Sequence, residues 1–93
     1  MGNCDYIKNE LANGAVLIDV REPHEFMSGS VRGSVNIPLS ALPSALGHLA
    51  GVRKALFYCR SGARSQAAAE FAMQRGIHSE NIGGISQVAR CAA

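Results

Sequence analysis

The sequence predicts a three-layer α/β fold, in which a central, mostly parallel sheet of about five short strands has helices on both faces. Three observations carry that prediction. The runs Ala15-Val16-Leu17-Ile18 and Ala55-Leu56-Phe57-Tyr58 are apolar at successive positions, as strands buried on both faces of a parallel sheet are. Segments with helical spacing of apolar residues lie between and after these runs. Most changes of period fall at a glycine or a proline, so the connections are short.

Taken in order, Asp5 is placed to cap a first helix running to Leu11, with Tyr6, Ile7 and Leu11 on its inner face and Asn13-Gly14 at its end. The strand Ala15 to Val20 follows. It sets Asp19 and Arg21 at its carboxyl end, where open α/β sheets carry their sites. Glu22 to Met27 starts a short helix with Pro23 in its first turn, and Ser28-Gly29-Ser30 breaks it. Val35-Asn36-Ile37 is a second strand that Pro38 terminates. Leu39, Leu42, Leu46 and Leu49 mark one face of the next helix, with Ser40 in place to cap it and Pro43 near its start. Ala55 to Tyr58 then leads to Cys59. From Ala63 to Arg75 the residues Ala67, Ala68, Phe71 and Ala72 form an apolar helical face, closed by Gly76. A last strand falls within Ile77 to Ile82, Gly83-Gly84 reads as a turn, and the tail Ile85 to Ala93 has helical character.

At 93 residues the chain reads as a single domain, residues 1–93. Its 47% hydrophobic and 17% charged residues fit a globular protein with no compositionally disordered stretch. A net charge of +2, with no basic stripe among aromatics, points to neither nucleic acid nor an anionic membrane as partner. No apolar run reaches the roughly 20 residues that a membrane-spanning helix needs. The expected state is a monomer. Met1 to Glu10 is polar and lacks a signal-peptide core, so the expected compartment is cytoplasmic, with a periplasmic alternative if a signal has been removed.

Cys4, Cys59 and Cys91 make an odd count without a C-x-x-C pair. This argues for one reactive cysteine in a reducing compartment and against a disulfide framework or a zinc site. Cys4 and Cys91, near the ends and outside any motif, read as incidental, with a resolving role open to Cys91. His24, His48 and His78 are scattered along the chain without an i, i+4 pairing and read as surface residues. No metal and no cofactor is expected.

Cys59 stands apart because of its setting. It lies at the mouth of a strand–loop–helix unit, beside loop amides and the positive end of a helix dipole, with Arg60 and Arg64 close by in sequence. Each of these features favours a thiolate. Cys59 is therefore the candidate nucleophile, in a cradle suited to an anion.

Several stretches together resemble the rhodanese family of sulfurtransferases in its compact, single-domain, bacterial form. They are Asp19-Val20-Arg21-Glu22, Gly29 to Pro38, Cys59-Arg60-Ser61-Gly62-Ala63-Arg64-Ser65 and Gly83-Gly84. Two departures stand out. Gly29-Ser30-Val31 occupies the place of a frequent Gly-His-Ile, and no tryptophan follows the Gly-Gly pair. The resemblance implies a rhodanese-like fold and a thiosulfate sulfurtransferase without cofactor. Cys59 would take sulfur from a small anionic donor such as thiosulfate, hold it as a persulfide, and pass it to cyanide, to a thiol or to a protein acceptor. Arg60, Ser61, Gly62, Ala63, Arg64 and Ser65 form the substrate and persulfide loop in this reading. Converging N–H groups hold the sulfur, Gly62 turns the loop inward and Ala63 leaves the mouth open. Arg60 attracts the donor. Arg64 does the same or ties the loop to Asp19 or Glu22, and Asp19 and Arg21 support the loop.

Two other functions are open to the same residues. A cysteine phosphatase or arsenate reductase cradle resembles a cysteine and an arginine with five residues between them. Here Cys59 and Arg64 have only Arg60 to Ala63 between them, which suits a single sulfur better than a tetrahedral oxyanion. A non-catalytic protein-binding module commonly lacks the cysteine that this chain has, whereas a sulfur relay to a partner protein, docking on the loop surface around Arg60, stays open.

Overall fold

The computed structural model describes residues 2–92, so Met1 and Ala93, the ends of the single-domain reading, lie outside the described residues. The elements in order are α1 (Gly2–Ala12), β1 (Val16–Asp19), α2 (Pro23–Ser28), β2 (Val35–Asn36), a 3-10 turn (Leu39–Ala41), α3 (Leu42–Leu49), β3 (Ala55–Cys59), α4 (Ala63–Gln74), β4 (Ser79–Gly84) and α5 (Ile85–Ala92). The strands form one parallel sheet in the order β2-β1-β3-β4. Among the described residues there are four strands rather than the expected five. Each strand-forming run of the sequence is used once, and both ends of the described chain are helical.

Strand β3 lies at the centre, and all five of its residues are buried. Successive side chains of a strand point to opposite faces, so β1 and β3 supply two cores. Ile18, Val20, Ala55, Phe57 and Cys59 face α3 and α4, where they meet Leu42, Leu49, Ala68, Ala69 and Ala72. Leu17, Leu56 and Tyr58 face the other way with Val31 and Val88, and Leu11, Ile82 and Ile85 pack against them. The small residues of α4 let that helix sit close to the sheet, and Ala68 and Ala72 are fully buried.

Several elements differ from expectation in detail. The first helix begins at Gly2, so Asp5 lies in its first turn instead of capping it. Residues Leu39–Ala41 form a 3-10 turn, and α3 starts only at Leu42, with Pro43 in its first turn and no side-chain cap from Ser40. Gly83-Gly84 is not a turn but the end of β4, where Gly83 and Gly84 stand opposite Tyr58 and Cys59.

The largest correction concerns the cysteines. Cys4 and Cys91 form a disulfide, with Cα atoms 4.7 Å apart and 87 positions apart in sequence, and Cys59 is free. Local spacing cannot reveal such a pair. It arises because α1 and α5 pack on the same face of the sheet and bring the two ends of the described chain together. The expectation of three unpaired thiols is thus overturned, and with it the reading of Cys4 and Cys91 as incidental.

Candidate active site

Cys59 ends β3 and is 1% exposed. Its sulfur sits in the bend that leads to α4. The backbone N–H of Gly62 donates to Sγ at 3.0 Å, the N–H of Ser65 at 3.4 Å, and the Ser65 hydroxyl lies 3.4 Å away. Gly62 makes the bend possible, since its φ of 104° is a left-handed conformation that a side chain would strain. Burial pushes the Cys59 thiol up, but the hydroxyl and N–H of Ser65 and the N–H groups of Gly62 and Ser61 outweigh it. The net effect holds the thiol below its ordinary range. Of the expected 60–65 loop, Gly62 and Ser65 touch the sulfur directly and Ser61 contributes. Arg60, Ser61 and Ala63 are exposed at the mouth, and among the described residues Arg60 takes part in none of the ion pairs that hold its neighbours.

Arg64 does not pair with Asp19 or Glu22. Its guanidinium forks onto Glu25 of α2, with Nη1 donating to Oε1 at 2.8 Å and Nη2 to Oε2 at 3.2 Å. Arg64, followed by the backbone N–H of Glu22, holds the Glu25 carboxyl down at about 2. The pair therefore ties the first turn of α4 to the first turn of α2, and Arg64 is not a free cation at the mouth.

Asp19 and Arg21 pair with each other. Asp19 is fully buried and accepts the Arg21 backbone N–H at 2.9 Å, Nε at 3.0 Å and Nη2 at 2.8 Å. Arg21 Nη2 also donates to the Gly29 carbonyl at 2.7 Å, which fixes the chain leaving α2. Their support of the Cys59 loop is thus indirect: they hold the segment around α2, and Glu25 of α2 holds Arg64. Tyr58, beside Cys59, faces the opposite core. Its hydroxyl accepts the Val31 N–H at 3.0 Å and lies 3.0 Å from Ser34 Oγ.

The sequence reading passed over Asn81 and Glu25. In the β3–β4 pairing Asn81 stands opposite Phe57, and a register shift just beyond it brings Gly83 opposite Tyr58. Asn81 then reaches the loop: its Nδ2 donates to the Gly62 carbonyl at 3.1 Å, and its Oδ1 accepts from Ser65 Oγ at 2.7 Å. Gly84 lets strand and loop approach, because a Cβ there would lie 2.7 Å from the Arg60 carbonyl oxygen. The signal in the sequence was a lone amide beside Ile82 ahead of a Gly-Gly pair.

His24, His48 and His78 are exposed. Among the described residues no helix is long and apolar enough to cross a membrane.

Fold and site together define a parallel α/β protein that presents a buried cysteine, its sulfur cradled by backbone N–H groups, at the carboxyl end of a central strand. The description of a rhodanese-like domain matches residues 3–90, and the chain belongs to that family. A "Sulfurtransferase" of Allochromatium vinosum is 34% identical over 61 residues, which cover 66% of this chain and 57% of that protein. The chain thus spans little more than half the length of that relative. The thiosulfate sulfurtransferase PspE of Escherichia coli is 32% identical over 75 residues, covering 77% of this chain and 72% of that one. Among solved structures, a rhodanese-related protein from Thermoplasma volcanium superposes with a TM-score of 0.79 at 32% identity, covering 94% of this chain and 86% of that one.

Proposed function

We propose that this chain is a sulfurtransferase that carries sulfur as a Cys59 persulfide. The Cys59 thiolate attacks the outer sulfur of an anionic sulfane donor such as thiosulfate. The new S–S bond forms as the donor's S–S bond breaks, and sulfite leaves with the electron pair. Cyanide or a thiolate then attacks the outer sulfur of the persulfide, forms thiocyanate or a new persulfide, and returns Cys59 as a thiolate. The observation that carries this reading is the cradle itself: Gly62 N–H, Ser65 N–H and the Ser65 hydroxyl all lie within 3.4 Å of Sγ and can hold negative charge on sulfur without a metal.

Arg60, exposed on the loop and outside the ion pairs, attracts the donor. Arg64 shapes the loop through Glu25 and does not contact substrate. The names of the relatives from Allochromatium vinosum and Escherichia coli support sulfur transfer, and the latter favours thiosulfate as donor. Loop length disfavours the phosphatase reading, which would need Arg64 free to clamp an oxyanion, whereas Arg64 is committed to Glu25. The Cys4–Cys91 bond favours an oxidising compartment, and so the exported alternative over the cytoplasmic one.

The test is intact mass after incubation with thiosulfate, for the wild type and for Cys59→Ser. The expected result is a gain of one sulfur in the wild type only, removed by cyanide. An unmodified wild type that hydrolyses an aryl phosphate would overturn the proposal.

A further inference from the structure

Ser65 has one hydroxyl proton and two acceptors for it. Its Oγ stands 2.7 Å from Asn81 Oδ1 and 3.4 Å from Cys59 Sγ, and the side chain is fully buried. A hydroxyl donates only once, so it cannot serve both acceptors together. While Cys59 is a neutral thiol, the shorter bond to the amide oxygen is the better one, and Ser65 Oγ is left to accept from the thiol. An ionised sulfur reverses the preference, because a charged acceptor makes a hydrogen bond roughly twice as strong. Asn81 Oδ1 is not stranded when the hydroxyl turns away, since the Gly83 N–H still donates to it at 3.0 Å. The amide cannot flip to present its nitrogen instead, because Nδ2 is held by the Gly62 carbonyl and by Gln66 Oε1, each at 3.1 Å.

We propose that the Ser65 hydroxyl is a two-position donor that turns from Asn81 to the Cys59 sulfur when the thiol ionises, and that Asn81 is the positioning residue that opposes the turn. The thiol proton leaves to solvent, Ser65 keeps its own proton, and only the Oγ–H bond rotates. Asn81 thus sets how readily Cys59 becomes a nucleophile, without touching it. The charged groups around the loop are Arg60 on the loop, the Arg64–Glu25 pair from α4 and α2, Glu22 at the start of α2, and the Asp19–Arg21 pair at the end of β1. They set a fixed background, while Asn81, from β4, is neutral. The proposal rests on Cys59 being the nucleophile of the reading above, but its test reads the thiol itself and uses no sulfur donor.

The test is ultraviolet titration of the thiolate with the Cys4–Cys91 bond intact, which leaves Cys59 as the free thiol. Four proteins are compared: the wild type, Ser65→Ala, Asn81→Ala and the double variant. Ser65→Ala is expected to raise the ionisation midpoint and to slow alkylation at neutral pH several-fold. Asn81→Ala is expected to lower the midpoint in the wild type and to leave it unmoved in the Ser65→Ala background, because its effect passes through the hydroxyl. A midpoint that Asn81→Ala shifts equally in both backgrounds would make Asn81 a loop anchor only and overturn the proposal. So would a Ser65→Ala protein that titrates like the wild type. Should Asn81→Ala not fold, Asn81→Leu removes the same acceptor while keeping the bulk.

Discussion

At the carboxyl end of β1 one charged pair, Asp19 and Arg21, is held out of water, whereas at the amino ends of the strands charged side chains form a shared cluster nearer the surface. Asp19 and Arg21 have relative exposures of 0% and 7%, and the Asp19 carboxylate contacts Arg21 along with that residue's backbone N–H. At the other end Lys54 Nζ reaches Tyr6 Oη at 2.6 Å, Glu80 at 3.3 Å and Glu10 at 3.7 Å, and Arg53 pairs with Glu10 as well. The first arrangement has no substitute for a lost partner. The second does, and the Cys4–Cys91 bond secures the same helix, α1, covalently. The difference teaches where the molecule is brittle: geometry at the Cys59 end depends on one-to-one pairs, while attachment of α1 is redundant.

Three measurements sharpen or break this contrast. The largest effect is expected from Asp19→Asn, which keeps the shape but leaves the Arg21 charge buried without a counter-charge. Urea denaturation should show a loss of about 3 to 5 kcal/mol, as for other broken buried pairs, and Lys54→Gln should lose far less. Equal losses at the two ends would dissolve the contrast.

Reduction of the Cys4–Cys91 bond ranks second. Opening so long a loop releases the constraint on the unfolded chain, a destabilisation of about 2 to 4 kcal/mol by the usual range. The thermal midpoint should fall when reductant is added, and thiol titration under denaturing conditions should count one cysteine before reduction and three after it. Cys91→Ser should show the lower midpoint throughout and keep the reactivity of Cys59. A midpoint indifferent to reductant would show that the lateral contacts of α1 suffice.

The smallest effect concerns Glu25. Its carboxyl is held at about 2 against an ordinary value of 4.5, so the pairing stabilises the fold above the ordinary value and is lost as pH falls toward 2. In acid titrations of stability, Glu25→Gln should lack the increment that the wild type loses across that window, and the two curves should converge near pH 2. Because the pair is partly exposed, the increment should also shrink in salt. Parallel curves would mean that the pairing contributes nothing to stability.

The parts of this architecture that follow from local pattern were legible in the chain. The apolar runs at Val16 and Ala55 become the two central strands, and the loop after Cys59, with its left-handed Gly62, joins strand to helix as the residue pattern predicts. What escaped is what depends on the third dimension. Arg64 finds Glu25 and not Asp19 or Glu22, because the turn of α2 places Glu25 over the loop while Asp19 is already saturated by Arg21. Asn81 reaches Ser65 only because β4 pairs alongside β3, a juxtaposition that no periodicity encodes. Cys4 and Cys91 meet only because two helices distant in sequence share one face of the sheet.

The same bond has a mechanical consequence. A force pulling apart chain segments on either side of the Cys4–Cys91 link is carried from one sulfur to the other and never reaches the sheet between them. For the same reason a single backbone cut anywhere between those two positions leaves one covalent molecule, with both fragments held at the seam between α1 and α5.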